Sequence, residues 1–595
     1  MSRKPRAGGG GRTVQARHGT GRTAKKRATK AERLKGQSQR AAAAATRGAS
    51  AVETPEPGAL NAAQGTATPS HSGGDAGFPP PPKEPPKEPP APPPHDQRPP
   101  VALVVAVVLT AILEVLDITI VNVAVPHMLG AFAATPDQVT WILTSYIVAA
   151  AVVMPLTGFL SNWLGRRRLL LLSITGFVIS SILCGLAWNL ESMVVFRLAQ
   201  GVFGAPLVPL SQAILMDAFP RDKQGQALAI FGLGIMVAPV AGPVLGGWLT
   251  EAYSWRMVFY INIPVGVLAL LLSLGYLPSR AIKHIRTDWV GLGLLVVAVG
   301  TLQFVLDQGH MRDWFDSKLI VAASIVSLFT TIAFFMRGWN KPDNIIDLSL
   351  LKDRSFVAGT LAITLFGISL FGWMALMPLF TQRLLGYPAD LAGMLFIPRG
   401  LVSAAMLAIT GGLLMRFFDP RWLVASGLIL VAAGTLPMAF FNLQVDSWGI
   451  IAPTLLAGAG TGLFFVPLTA VAFASIPNAK YDEASGVYSL MRGIGGSAGI
   501  AIVSWLFVRQ AHIHFAELTA HITPYNKDLL PYLTERGLTP QDPQAGAAVM
   551  HEIARQAQML AFNDMFWFIG LCTLAILPVV FFMSRPKTTG LVVAH

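Results

Sequence analysis

The sequence has few charged residues and few cysteines. Only 13% of its 595 residues are Asp, Glu, Lys or Arg, against about 25% in an ordinary soluble domain. That composition argues against a soluble enzyme and against a nucleic-acid-binding module. Cys184 and Cys572 each lie inside an apolar run, so we expect neither a disulfide framework nor a thiolate metal site.

Sequence motifs of familiar enzymes are also missing. No H-E-x-x-H or Walker A pattern occurs, which argues against an integral-membrane enzyme and against an ATP-driven pump. His512, His514, His521 and His551 do not have the spacing of metal ligands, so we expect them on the surface. We therefore expect no metal site and no cofactor.

The first 100 residues lack long aliphatic runs. Residues 1–50 are rich in Arg, Lys, Gly and Ala, and residues 51–100 are rich in Pro. Such a segment buries too little apolar surface to offset chain entropy, so we predict a disordered, basic and Pro-rich extension over residues 1–100. It has no apolar core of a signal peptide, so we do not expect cleavage. Attraction to an anionic membrane surface and passive solvation both remain open as its role.

The rest of the chain consists of long apolar runs. From Val101 to Met583, stretches of about 20 apolar residues recur, each long enough to cross a hydrocarbon core of roughly 30 Å as a helix. Strands of a membrane barrel would instead show alternating segments of about 10 residues. We therefore predict an all-α integral membrane protein. Its fourteen spans are predicted at 101–123, 139–160, 168–188, 192–215, 227–250, 257–277, 288–308, 318–337, 356–379, 390–415, 422–441, 449–474, 484–508 and 561–583.

The positions of Lys and Arg predict the orientation of these spans. Loops opposite the N-terminus carry little beyond Arg256, Arg312 and Arg383, and much of the net charge of +13 lies on the other side. By the positive-inside rule both termini are cytoplasmic and a long loop over residues 509–560 is external. The cations on the predicted cytoplasmic side are Arg166, Arg167, Arg168, Arg221, Lys223, Arg280, Lys283, Arg286, Lys341, Lys352, Arg354, Arg416, Arg421 and Lys480.

A weak internal repeat indicates two related halves. The stretch Gly158–Arg168 aligns with Gly412–Arg421, and residues 207–210 align with residues 465–468. Two halves around a central site are common in secondary transporters. The predicted organisation is an extension at 1–100, a six-helix bundle at 101–277, two inserted spans at 288–337, a second six-helix bundle at 356–583 and a cytoplasmic tail at 584–595.

Charged residues inside the spans are candidate functional groups, because each charge costs at least about 2.5–3.5 kcal/mol there. Glu114 and Asp117 lie on one face of the first span. Two carboxylates at such a short separation in a low dielectric resist simultaneous ionisation. This property suits a group that takes up and releases protons. A carboxylate that only bonds a neighbouring helix is the alternative. Arg197 either tunes such a carboxylate or extends to the headgroups.

The fifth span is unusually rich in Gly and Pro. In a membrane, small residues let another helix approach closely and Pro leaves a bend. The span is therefore either a flexing contact between the halves or a kinked packing helix. Its candidate residues are Gly234, Pro239, Gly242, Pro243, Gly246 and Gly247.

The remaining candidates are a basic turn and a set of residues around a central cavity. The turn Gly158–Arg168 either fixes topology alone or pairs reversibly with neighbouring helix ends and so holds one conformation. Three roles are open for Arg399 and Arg492: contact with substrate, pairing with a carboxylate, or anchoring of a helix end. The proposed cavity residues, suited to lipophilic and often cationic compounds, are Asn122, Phe371, Trp373, Arg399, Phe464, Phe465 and Arg492.

These motifs together resemble the major facilitator superfamily, in its fourteen-span drug:proton antiporter branch. Leu116–Pro126 is similar to the first-span pattern of that branch, Gly158–Arg168 to its gating motif, and Arg197–Gly201 to the motif whose Arg is implicated in proton transfer. The Gly- and Pro-rich fifth span resembles the antiporter motif. Residues 561–567, after a long external loop, resemble the EmrB type of exporter subunit.

The resemblance implies residue roles. Asp117, Glu114 and Arg197 would couple transport to protons. The gating residues would be Gly158, Asn162, Gly165, Arg166, Arg167 and Asp217. One position departs from the pattern, since Asn162 stands where the motif usually has an acid. Asp217 remains available to Arg166 or Arg167.

The resemblance also implies a function. It predicts a proton-coupled exporter of drugs or other toxic small molecules in a bacterial inner membrane, with the proton gradient as energy source and no nucleic-acid partner. The EmrB likeness implies an EmrA-type periplasmic adaptor and an outer-membrane channel. A dedicated exporter or importer of one metabolite on the same fold is the alternative.

Overall fold

A computed structural model describes residues 99–583 except 221–222, 278–287, 340–343, 523–526, 528 and 540. Within these residues the chain is helical and contains no strand. The predicted extension up to residue 98 and the tail at 584–595 lie outside the described residues. So do five of the loop cations, namely Arg221, Arg280, Lys283, Arg286 and Lys341.

Fourteen helices of the described chain are long and apolar enough to cross a membrane, which confirms the predicted number of spans. The chain is therefore a multi-pass membrane protein. The helices are α1 Val101–Ala131, α2 Trp141–Leu164, α3 Arg166–Gly185, α4 Leu190–Ala218, α5 Gln224–Ala252, α6 Met257–Tyr276, α7 Trp289–Met311, α8 Lys318–Gly338, α9 Arg354–Leu384, α10 Leu391–Phe417, α11 Pro420–Phe440, α12 Ser447–Phe473, α13 Asn478–Ala520 and α14 Gln544–Phe581.

Local sequence explains where several helices begin. Asn189, Asp353 and Asp446 each accept a hydrogen bond from a backbone N–H in the first turn of the helix that follows. These bonds satisfy donors that a helix start leaves unpaired. Between α2 and α3, Gly165 has φ 85°, a left-handed conformation that favours glycine. The turn between these two helices is therefore tight.

The helices form two groups of six and one extra pair. In the first group α1 packs against α5 and α6, and α2 packs against α4; in the second, α9 packs against α13 and α12 against α10 and α11. The extra pair is α7 and α8, and α7 also contacts α2 and α13. Gln303 of α7 donates to the Ser497 hydroxyl of α13 at 2.5 Å. The all-α fold of two six-helix bundles plus two spans is confirmed.

The segment 509–560, expected as a long loop, differs from that expectation. The helix α13 continues to Ala520 and α14 begins at Gln544, so much of the segment is helical. The polar ends of these helices pack on each other, because Gln510 and His514 both bond the Asp564 carboxylate, at 3.1 and 2.7 Å. Apolar runs show where a helix crosses the membrane, and polar pairing lets the same helix continue past that point.

Candidate functional site

The contact between α1 and α5 positions the polar residues of α1. A Cβ atom on Gly246 would lie 2.9 Å from the backbone oxygen of Ile120, so only glycine permits this approach without a shift. Thr119 also reaches across, and its hydroxyl lies 3.3 Å from the backbone oxygen of Ala238. The small residues of the fifth span thus serve close packing on α1, as expected for small residues between membrane helices.

Asp117 is the centre of a buried hydrogen-bond network. Its Oδ2 lies 2.6 Å from Arg197 Nη1, and the two side chains are 0% and 1% exposed. Its Oδ1 accepts from Gln200 Nε2 at 2.9 Å and from Asn262 Nδ2 at 2.7 Å. The carboxylate therefore accepts hydrogen bonds from one cationic and two amide donors. A buried charge requires such partners.

Arg197 is held equally closely. Its Nη1 also donates to Gln200 Oε1 at 2.8 Å, and its Nε donates to the backbone oxygen of Ile142 at 3.2 Å. The guanidinium lies over the Tyr146 ring, 4.3 Å from its centroid. Removing one partner from such a pair leaves an uncompensated buried charge, which typically costs about 3–5 kcal/mol. A change in the charge of Asp117 must therefore rearrange this network.

Glu114 has different partners from Asp117, although the two share a helix. It is 3% exposed, and its Oε2 accepts a hydrogen bond from the backbone N–H of Val208 at 3.0 Å. It also lies within electrostatic range of Arg492 on α13 and of Asp117. The i, i+3 spacing thus places the carboxylates near each other, but each belongs to its own set of contacts.

A second polar group connects the two halves. Arg166 Nη1 lies 3.0 Å from Asp217 Oδ2, and Arg166 Nη2 lies 2.5 Å from Asp482 Oδ1 on α13. Ser161 also donates to Asp482, at 2.6 Å, and Asn162 donates to Glu483 Oε1 at 2.9 Å. We call the six side chains of this group the latch: Ser161, Asn162, Arg166, Asp217, Asp482 and Glu483.

The gating residues named from the sequence divide between the latch and its surroundings. Of the two arginines considered for Asp217, the structure brings Arg166 to it, while Arg167 donates to the backbone oxygen of Leu274 at 2.7 Å. Gly158 lies against the latch, since a Cβ atom there would be 2.8 Å from the Cβ of Glu483. The asparagine that replaces an acid is thus paired with an acid on the other half.

Other contacts beside the latch show that this end of the molecule is closed. The Ser485 hydroxyl of α13 donates to the backbone oxygen of Pro209 at 2.9 Å, and Ser485 is 0% exposed. Gln224 Nε2 of α5 donates to the Tyr481 hydroxyl at 3.0 Å. Both bonds join the two halves. The structure is therefore a state in which the halves meet at the latch.

An ion pair beyond the spans secures the same end. Asp347, between α8 and α9, pairs with Lys480 of α13 and accepts from the backbone N–H of Ser349 at 2.8 Å. Burial raises the pKa of the Asp347 carboxyl, but the hydrogen bonds from Lys480 and Ser349 outweigh burial and hold that pKa below its usual value. The carboxylate therefore stays ionised at neutral pH, and the pair persists there.

The proposed cavity residues occupy different environments. Asn122 is exposed and donates to the backbone oxygen of Ile118 in its own helix at 3.0 Å. Phe464 is 0% exposed and packs on Phe366, with ring centroids 4.2 Å apart. Both Phe464 and Phe465 thus belong to a packed hydrophobic cluster that consists mainly of second-half residues and includes some of α4 and α5.

The other cavity residues line the interior between helices. Phe371 is partly buried beside Gly496. Arg399 lies over the Trp373 ring, 3.5 Å from its centroid. Arg492 is partly buried, and its charge interacts electrostatically with that of Glu114. The described contacts do not gather all seven candidates into one pocket.

Sequence reasoning missed several partners of these groups. Gln200 lies three residues after Arg197 and was available within the same motif. Asn262 lies in the second turn of α6, where an amide inside an apolar run is itself a signal. Asp482 and Glu483 form an acidic pair at the start of α13, but no local pattern connects them to residues more than 300 positions earlier.

The Asn162–Glu483 contact gives a charge test. In Asn162→Asp, two carboxylates would face each other and repel. Because the pair is partly exposed, we expect the population in which the halves are separated to rise by about a few-fold. Adding Glu483→Gln restores an amide–carboxylate pair and should reverse the effect. The measurement is the alkylation rate of a cysteine at Ser485 in a background without Cys184 and Cys572. Equal rates in the single and double variants would contradict the role of this contact.

Comparison with known proteins agrees with this architecture. Residues 107–500 match the sequence profile of the Major Facilitator Superfamily. The chain is 35% identical, over 82% of its length and 96% of the relative, to the Multidrug export protein EmrB of Haemophilus influenzae. It is also 35% identical, over 81% of its length and 96% of the relative, to the Fatty acid resistance protein FarB of Neisseria gonorrhoeae. The human organic anion transporter MFSD10 (TETRAN) has a similar fold, with a TM-score of 0.52 and 16% identity over 81% of this chain and 100% of that one.

Proposed function

This chain belongs to the major facilitator superfamily, and we propose that it exports drugs or other lipophilic toxic molecules in exchange for protons. It is a membrane transporter and not an enzyme. The names of its relatives, multidrug export and fatty acid resistance proteins, support an export function. The observation that carries proton coupling is the fully buried Asp117–Arg197 pair.

Protonation of Asp117 would change the charge compensation inside the first half. A neutral carboxyl group no longer compensates the Arg197 guanidinium, and the buried cation then needs new partners. Gln200 and Asn262, which both donate to Asp117 Oδ1, would reorient with it. A rearrangement that differs between the two orientations of the halves is what lets proton occupancy bias the transport cycle.

Glu114 would pass the effect to the second half. It accepts from the backbone of α4 and lies in the field of Arg492 on α13, so its charge acts on both halves. Substrate or proton arrival beside Glu114 would alter this attraction. We propose that Asp117 is the main proton-carrying group and that Glu114 adjusts the contact between the halves.

The latch would hold one orientation of the cycle. Its bonds join α2, α3 and α4 of the first half to α13 of the second. Opening this end breaks them, so the latch must release when the bound ligand favours the other orientation. The Gly- and Pro-rich α5, which contacts α10 and α12 of the second half, would flex during that movement.

We propose the domain boundaries and the location predicted from the sequence. The two bundles would comprise residues 101–277 and 356–583, with 288–337 as inserted spans. The basic loops support a bacterial inner membrane with cytoplasmic termini and a cytoplasmic latch. The long outer ends of α13 and α14 would then face the periplasm, where an EmrA-type adaptor leading to an outer-membrane channel would bind.

Reconstituted protein tests the proposed function. Full-length chain in sealed liposomes should move ethidium, a lipophilic cation, only while a pH gradient is imposed, because protons moving down their gradient supply the free energy. The assay records ethidium fluorescence with the gradient and after nigericin dissipates it. Liposomes without protein give the passive rate. Transport that continues at the same rate after nigericin would overturn proton coupling, and no protein-dependent transport of any probe would overturn the export function.

A further inference from the structure

Tyr146 has a hydroxyl group that the described part of the chain leaves without a hydrogen bond. The residue is 1% exposed, and its Oη is buried with neither a donor nor an acceptor beside it. The ring itself has a defined neighbour, because the Arg197 guanidinium lies 4.3 Å from its centroid. A buried hydroxyl without a partner costs free energy. Its position beside the buried Asp117–Arg197 pair therefore requires an explanation.

Two glycines of α4 bring this hydroxyl close to the ion pair. A Cβ atom on Gly201 would lie 2.5 Å from the backbone oxygen of Tyr146, and a Cβ atom on Gly204 would lie 2.8 Å from Tyr146 Oη. Any larger side chain at these two positions would push α2 away from α4. Arg197 lies on the same helix as both glycines, so the sequence of α4 holds Tyr146 against the guanidinium.

Arg197 has a donor group that is also unused. Among the described residues its hydrogen bonds come from Nε, to Ile142, and from Nη1, to Asp117 and Gln200. No bond from Nη2 is found there, although a guanidinium group carries five N–H donors. A phenolic oxygen can accept as well as donate a hydrogen bond. Tyr146 Oη and Arg197 Nη2 are therefore complementary, and they belong to groups that already contact each other.

We propose that Tyr146 is the second partner of Arg197, and that its hydroxyl accepts a hydrogen bond from the guanidinium when Asp117 is protonated. The inference rests on the proposed proton coupling, in which a neutral Asp117 no longer compensates Arg197. A charge-assisted bond then forms where the ionised state has none. Because the hydroxyl is unpaired while Asp117 is ionised, it stabilises only the protonated state. Tyr146 is thus a positioning residue that helps to set the pH at which Asp117 takes up its proton.

One other acceptor competes for the Tyr146 hydroxyl. The titratable and charged groups around Tyr146 and Arg197 are Asp117 and Glu114 of α1, Cys184 of α3, Asp307 of α7, which bonds Thr144 on α2, and Arg492 of α13, which acts through Glu114. Of these, Glu114 is a carboxylate within electrostatic range of the hydroxyl. It already accepts from the backbone N–H of Val208, whereas the Arg197 guanidinium lies directly on the tyrosine ring.

A double-mutant cycle with Asp117→Asn tests the assignment, because asparagine is neutral like the protonated carboxyl group. The measurement is the melting temperature of the full-length protein in lipid nanodiscs at alkaline pH. With Asp117 in place, Tyr146→Phe removes only an unpaired hydroxyl, and the protein should melt at the same or a higher temperature than the unchanged protein. In the Asp117→Asn background, Tyr146→Phe removes the acceptor of Arg197 and should lower the melting temperature.

Tyr146→Phe should also move the pH dependence of transport. Without the hydroxyl the protonated state of Asp117 is less stable, so a higher proton concentration is needed to reach it. The pH of half-maximal gradient-driven ethidium transport in liposomes should therefore fall by about one to two units, the shift expected for one hydrogen bond to a charged group. A merely structural role would lower the transport rate without moving this pH.

Tyr488 provides a matched control. It is another buried tyrosine, 1% exposed, and its hydroxyl lies 3.1 Å from the Thr469 hydroxyl in the second half. Tyr488→Phe loses that bond, so it should lower the melting temperature by the same amount with Asp117 in place and in the Asp117→Asn background. It should leave the pH of half-maximal transport unchanged. If Asp117→Asn does not fold, the pH shift of Tyr146→Phe decides the case.

Other results would overturn the proposal. Additive effects of Tyr146→Phe and Asp117→Asn on the melting temperature would do so, as would an unchanged pH of half-maximal transport in Tyr146→Phe. A cost of Tyr146→Phe in the Asp117→Asn background that disappears when Glu114→Gln is added would assign the hydroxyl to Glu114 instead. The cycle uses no transport measurement. An unchanged protein that exports no probe would therefore reject the proposed function, while the melting temperatures still decide the role of Tyr146.

Discussion

Asp117→Asn is expected to abolish gradient-driven transport, with the accumulation ratio of substrate falling to about 1. The amide keeps the size of the side chain and can accept from Arg197, but it cannot exchange a proton at neutral pH. Substrate transport is then no longer coupled to the proton gradient. Exchange of labelled for unlabelled substrate across the membrane at equal pH should continue, because the halves still interconvert. The two assays use the same liposomes, one with an imposed pH gradient and one with equal pH on both sides.

Two controls separate coupling from folding. Asp307 on α7 is another acid inside a span and accepts from the Thr144 hydroxyl, outside the Asp117 network. Asp307→Asn makes the same chemical change and should leave the accumulation ratio unchanged. The melting temperature of Asp117→Asn shows whether the protein survives with Arg197 less well compensated. An accumulation ratio equal to that of the unchanged protein would remove Asp117 from the coupling role.

The fold could be predicted from the sequence because membranes impose a strong constraint on composition. Every span must satisfy its backbone internally and present apolar side chains to lipid, so fourteen runs predict fourteen helices. Asp117 and Arg197 could be identified as candidate residues for the same reason, since a charge inside an apolar run is conspicuous. Their pairing at 2.6 Å joins residues that are 80 positions apart.

Partner choice across the halves could not be predicted. Asn162 departs from the expected acid, and only the packed structure places it against Glu483 on α13. Glu114 and Asp117 share a helix face by spacing, yet a backbone N–H of Val208 binds one and amide side chains bind the other. Such choices depend on the register between helices, which apolar periodicity does not encode.

Arg166→Gln is expected to shift the protein towards opening at the latch. Arg166 is 4% exposed and bridges Asp217 on its own half to Asp482 on the other. Glutamine loses the charge and at least one of these bonds, and leaves two carboxylates with less compensation. Loss of a partner from a buried pair costs up to about 3–5 kcal/mol. The population of the open state should therefore rise by about tenfold or more.

The alkylation rate of a cysteine at Ser485 reports this population, because Ser485 is buried between α4 and α13 when the latch is closed. The neighbouring Arg167 is the matched control. It donates to the backbone of α6 in the same half, so Arg167→Gln removes an equal charge without removing a contact between halves. A rate increase confined to Arg166→Gln would identify the bridge as the cause. Equal increases in both variants would mean that net positive charge near the turn, and not the bond to Asp482, keeps this end closed.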